Sequence, residues 1–98
     1  MEFVQIVQFN TSRIDEMKEL TDRFRAGAAS EGSTNASRVM MCADRDNANR
    51  YMVVAEFPDY DTAMANSARP EVSAFAQEMA ALCDGPPTFY NLDVSERM

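Results

Sequence analysis

The sequence predicts an α+β domain: a four-stranded antiparallel sheet with two helices on one face, in the order β-α-β-β-α-β. Three observations carry this. Four short runs rich in β-branched and aromatic residues flank two segments with apolar residues at helical spacing. The second helical segment is broken at Arg69-Pro70, restarts, and is stopped by Asp84-Gly85-Pro86-Pro87. The chain of 98 residues shows no internal repeat or linker and holds one domain, 1–98.

Phe3 to Phe9 is the first strand, its residue types fitting a pleated surface. Phe3, Gln5, Val7 and Phe9 share one face, and Val4, Ile6 and Gln8 share the other, so neither is cleanly polar. Both faces are therefore expected to be covered, one by the helices and the other by a second sheet or a partner.

Ser12 with Asp15 three residues on reads as a capping box ahead of a helix from Arg13 to Ala29. Ile14, Met17, Leu20 and Phe24 form its apolar stripe, and Glu16, Lys18, Glu19 and Asp22 its solvated face. Gly27 weakens the last turn, and residues 30–35 read as a polar loop.

Arg38 to Ala43 and Arg50 to Phe57 make a hairpin across Asp44 to Asn49, whose Asp and Asn side chains satisfy turn backbone. On the second arm Tyr51, Val53, Ala55 and Phe57 lie on one face. Pro58 ends that strand, and Asp59 or Asp61 caps the next helix. Pro70 biases Arg69 away from helical backbone while suiting the first turn of a new helix, so the break falls there. Val72, Phe75, Ala76, Met79 and Leu82 line one face of the restarted helix, and Gly85 supplies its cap. Thr88 to Val94 closes the sheet, Phe89, Asn91 and Asp93 alternating with Tyr90, Leu92 and Val94.

An apolar content of 46% with 26% charged residues is that of a globular chain. Sixteen acidic against 9 basic side chains give a net charge of -7, which repels phosphate backbones and anionic lipid, so neither nucleic acid nor membrane is an expected partner. Met1-Glu2-Phe3-Val4 lacks a signal-peptide pattern, and the expected location is cytoplasmic. Cys42 and Cys83 have no metal or redox spacing and read as two buried thiols. The chain has no His, which removes the commonest metal ligand and the usual haem ligand; no metal site and no cofactor are expected.

The element order is that of a ferredoxin-like split βαβ domain. With the broken segment Asn66-Ser67-Ala68-Arg69-Pro70-Glu71 and the closing Gly85-Pro86-Pro87-Thr88-Phe89-Tyr90, the chain resembles the dimeric α+β barrel superfamily over nearly its whole length. That superfamily includes antibiotic-biosynthesis-type monooxygenases, small polyketide cyclases and stress-responsive proteins. The resemblance implies a homodimer through the bare sheet face, with an aromatic or polyketide-like molecule held between helices and sheet. Its implied activity is cofactor-independent oxygenation; a non-catalytic ligand-binding or stress-related dimerisation module and a polyketide cyclase or isomerase are the alternatives. Many relatives carry a His-Pro pair where this chain has Arg69-Pro70, and several oxygenase members use Trp and His in the cavity; this chain has neither residue.

Oxygenation without a cofactor needs donors or a cation to steady a substrate anion, and dry walls around it. Asn66, Arg69 and Tyr51 are the catalytic candidates on those grounds, and Tyr90, Met64 and Phe75 the candidate ligand contacts. Arg69 equally suits a clamp on local structure, Asn66 a backbone cap, and the tyrosines a core or dimer seam. Asp93 is a candidate cyclase base, or a strand carboxylate that is either exposed or, if buried, paired with Arg38 or Arg50.

Overall fold

The computed structural model of the protein describes residues 1–31 and 36–98. Strand β1 (Phe3–Asn10) leads to helix α1 (Ile14–Glu31), the hairpin β2 (Arg38–Ala43) and β3 (Arg50–Phe57), helices α2 (Tyr60–Ser67) and α3 (Pro70–Ala81), and strand β4 (Thr88–Asp93). The sheet order is β2-β3-β1-β4 and every neighbouring pair is antiparallel. The expected α+β, βαββαβ arrangement is therefore the observed one, including the helix broken at Arg69-Pro70.

Strand parity decides what each face meets. Val7 lies opposite Val53 on one side and Phe89 on the other, and Phe9 opposite Tyr51, so odd-numbered strand residues share the inner face. Helices cover that face: Phe9 packs with Met17 and Leu20 of α1 and Met79 of α3, and Phe3 and Phe57 enclose Ala63 of α2. Met17 is fully removed from solvent, and burial of such a side chain contributes about 1.5–3 kcal/mol.

The outer face carries Val4, Ile6, Met52 and Val54 with the exposed Met40, Tyr90 and Leu92. In a single chain this apolar face is open to solvent.

Local chemistry sets the breaks. The Asp59 carboxylate accepts from the Thr62 N–H at 2.7 Å and caps α2. Arg69 is extended (φ -69°, ψ 133°) as the N-cap of α3, with Pro70 in its first turn. Gly85 stands at φ 133°, where a side chain would be strained, and turns the chain into β4. In the hairpin, the Asp44 carboxylate accepts from the Asp46 N–H at 2.8 Å and the Asn47 amide at 3.2 Å.

Three expectations are corrected. The entry to α1 is organised by Thr11: its buried hydroxyl donates to the Leu82 carbonyl at 2.7 Å and accepts from the Arg13 N–H at 3.0 Å, while the Ser12 hydroxyl donates to Asp84. A tertiary acceptor far along the chain thus replaces the capping box. Helix α1 runs through Gly27 to Glu31, because helical backbone there continues past the single glycine; residues 32–35 of the expected loop lie outside the described residues. Cys42 is exposed on the outer sheet face, and only Cys83 is partly buried. Asp93 is exposed, one of the two structural readings expected of it, and the arginines named as its partners have other carboxylates near them: Arg38 lies 3.6 Å from Glu56 and Arg50 3.9 Å from Asp44.

Candidate functional site

Between the inner sheet face and the helices lies a cavity of about 360 Å³, the size of a small-ligand site. Its floor is Gln5, Val7, Val53, Ala55 and Phe57. Its roof comes from Phe24 of α1, Asn66 and Ser67 of α2, and Val72, Phe75 and Met79 of α3. Val39 on one edge strand and Phe89 on the other, both more than half exposed, mark how far it spans the sheet.

The space exists because of what the sequence puts opposite what. The inner face carries small residues at its centre, Val53 and Ala55, and α3 turns Ala76 and Ala80 toward it. The large side chains gather instead around Phe9 and around Phe3. Phe24 and Phe75 stack with ring centroids 4.4 Å apart and present one aromatic surface to the cavity.

The polar groups on the wall are few and uncharged: Gln5, Asn66, Ser67 and Ser73. Asn66 sits in the last turn of α2, where its backbone carbonyl accepts from the Ala68 and Arg69 N–H groups. The main chain thus closes the helix, and the side-chain amide has no hydrogen-bond partner among the described residues. Gln5 donates its amide N–H to Asn91 Oδ1 at 3.3 Å, across the β1–β4 pairing.

Of the six candidates, Asn66 and Phe75 come together on the cavity wall. Arg69 lies beside it at the α2–α3 junction, its Nε 2.7 Å from Glu71 Oε1. The Glu71 carboxyl is held below its usual range by its own backbone N–H and by Arg69. Tyr51 stacks on Phe9 at 5.8 Å in the core next to the cavity. Met64 packs with Phe3, Phe57 and Ala63. Tyr90 is on the outer face, where its hydroxyl donates to Gln8 Oε1 at 3.4 Å.

Gln5, Phe24 and Phe89 were not singled out as site residues by sequence reasoning. For Gln5 the signal was present: it is the one polar side chain between Phe3, Val7 and Phe9 on an otherwise apolar face. Among the described residues no group of three His, Cys, Asp or Glu side chains is placed to hold a metal ion, and no helix is long and apolar enough to cross a membrane.

No protein-family model and no curated protein matches the sequence. Solved structures do match the fold. SnoaB, a cofactor-independent oxygenase from Streptomyces nogalater, superposes with a TM-score of 0.80 at 19% identity, covering 99% of this chain and 96% of that one. Rv0793 from Mycobacterium tuberculosis gives 0.74 at 11% identity, covering 99% and 98%. A structure described as an antibiotic biosynthesis monooxygenase gives 0.73 at 16% identity, covering 95% and 97%. At such identities the likeness is one of architecture, and the chain has the ferredoxin-like fold that these structures share.

Proposed function

We propose that this chain binds a flat aromatic or polyketide-like molecule in the cavity between sheet and helices and oxygenates it without a cofactor. The observation that carries the reading is the Asn66 amide, placed on the wall of an apolar cavity with its hydrogen-bonding capacity unspent. The fold shared with SnoaB, itself a cofactor-independent oxygenase, supports it.

In this reading a phenolic substrate lies against the Phe24–Phe75 surface, and Asn66 donates an N–H to the phenolic oxygen as negative charge grows there. Phenol and dioxygen give quinone and water. One oxygen atom bonds to the ring carbon; the other leaves as water with the hydrogens given up by that carbon and the hydroxyl, and the substrate supplies the electrons. The apolar walls, Val7, Val53 and Met79 among them, keep bulk water from the electron-rich ring carbon to which oxygen bonds. Arg69, next to Asn66, is the nearest proposed cation for the same charge. A cyclase would need a base, and Asp93 is not among the residues lining the cavity.

The reading includes a homodimer formed through the outer sheet face and a cytoplasmic location. Native mass spectrometry of the gently purified protein tests assembly and ligand together: a dimer carrying a discrete aromatic mass is expected. Oxygen uptake with polycyclic phenols then tests the chemistry. Asn66→Leu is expected to reduce uptake by about 100-fold, as loss of an oxyanion donor does, with the melting temperature unchanged. Uptake that survives this substitution would remove the assigned role, and binding without uptake would favour a non-catalytic ligand-binding protein.

A further inference from the structure

We infer that Gln5, held by Asn91, is the specificity-determining group on the sheet side of the cavity, selecting an uncharged ligand that offers it a hydroxyl hydrogen. This rests on the ligand-binding reading of the cavity and adds which chemical form of ligand it takes.

Gln5 and Asn91 face each other directly across the β1–β4 ladder on the inner side of the sheet. Side chains so paired are neighbours by construction, and Gln5 Nε2 donates to Asn91 Oδ1 at 3.3 Å. That bond ties the nitrogen end of the Gln5 amide toward β4. Its oxygen has no hydrogen-bond partner among the described residues, and Gln5 lies on the cavity floor. An amide oxygen only accepts. What it asks of a ligand is therefore a donor, and a phenolic hydroxyl on a flat ring is the donor an apolar cavity admits at least cost.

Asn66 belongs to the helical roof and Gln5 to the sheet floor, so the two amides approach a ligand from different layers. Among the described residues lining the cavity none is ionisable. A ligand entering as an anion would lose its hydration with no opposite charge among the described lining residues to replace it, and the neighbouring Arg69 is already paired with Glu71. The neutral phenol is the form that binds, and its hydroxyl hydrogen is what Gln5 reads.

Equilibrium dialysis with three small probes tests this: 1-naphthol, 1-methoxynaphthalene, which keeps the ring and oxygen but has no donor, and naphthalene-1-sulfonate, which is an anion. The wild-type chain is expected to prefer 1-naphthol to the methyl ether by about tenfold, the scale of one neutral hydrogen bond, and to bind the sulfonate weakest. In Gln5→Leu the preference, read as the ratio of the two affinities within the same variant, should shrink to within about twofold through loss of that bond. Asn91→Leu, on exposed β4, should lower the preference part of the way without touching the cavity floor, and it serves if Gln5→Leu does not fold. An unchanged preference in the substituted chain, no preference in the wild type, or a sulfonate bound as tightly as the naphthol overturns the inference alone. A wild-type chain that binds neither the naphthol nor its ether overturns the cavity reading, and the inference with it.

Discussion

Phe24 and Phe75, 51 positions apart, stack with their planes 28° from parallel and join α1 to α3 over the cavity. The same pair is a structural tie and part of the ligand-facing wall. Phe75→Leu keeps an apolar side chain but loses the ring contact; it is expected to cost about 1 kcal/mol. Chemical denaturation measures the cost, and dialysis with a planar phenol should show weaker binding by the same variant. A stability loss without any change in binding would separate the two roles.

Thr11 is the buried polar link between the start of α1 and the end of α3. Thr11→Val is close in shape but strands the Leu82 carbonyl and the Arg13 N–H, and is expected to destabilise by about 1–3 kcal/mol. A urea titration showing an unchanged midpoint would mean that water replaces the hydroxyl.

The two thiols should differ in reactivity. Burial, and then the nearby Asp84 carboxylate, pushes the Cys83 thiol above its ordinary value, and its Sγ donates to the Met79 carbonyl. Cys42 is exposed on the outer face in the single chain. At pH 8, iodoacetamide should modify Cys42 before Cys83, as mass spectrometry would show. If the outer face pairs with a second copy, raising protein concentration should slow Cys42 labelling and leave Cys83 unaffected.

Acid should destabilise the fold through exposed carboxylates. Asp59 is held below its usual range by the Thr62 N–H, Asp44 by the Asp46 N–H, and Glu2 by hydrogen bonding to Arg97. Because each folded value is depressed, the stabilisation is complete above the unfolded values, near pH 4, and is lost as pH falls through the folded ones. Melting temperature is expected to stay level between about pH 7 and pH 5 and to decline below about pH 4. A decline beginning near neutrality would point to other groups.

The element order was legible because its punctuation is local. Pro58 with Asp59, Arg69 with Pro70, and Gly85 each act through their own backbone or that of a near neighbour. Thr11 was not legible, because its acceptor at Leu82 is adjacent only after folding. Parity separated Phe89 from Tyr90, but nothing local says which of them turns inward. That is settled when Phe89 registers with Val7 and Tyr90 with Ile6, which sends Tyr90 to the outer face. Asn66 was read from the helix break beside it, whereas its placement on the wall depends on α2 packing against the sheet at Phe57 and Ala55 through Ala63 and Met64. Gln5 shows the converse: a polar side chain among apolar neighbours on one strand face was visible in the sequence, and its meaning came only from the space above it.

The end of the sheet where β1 begins and β4 finishes brings distant parts of the chain together. The Val94 N–H donates to the Glu2 carbonyl at 2.9 Å, and Arg97 pairs with both Glu2 and Glu56. Residues 2 and 94–97 are therefore neighbours in space, although they are nearly the whole sequence apart. A short Gly-Ser bridge could join them without disturbing any strand, and the chain could be reopened in the exposed turn at Asp46-Asn47. The resulting permutant would begin at the β3 arm and present its new ends at the far end of the sheet, where reporters could be attached away from the cavity.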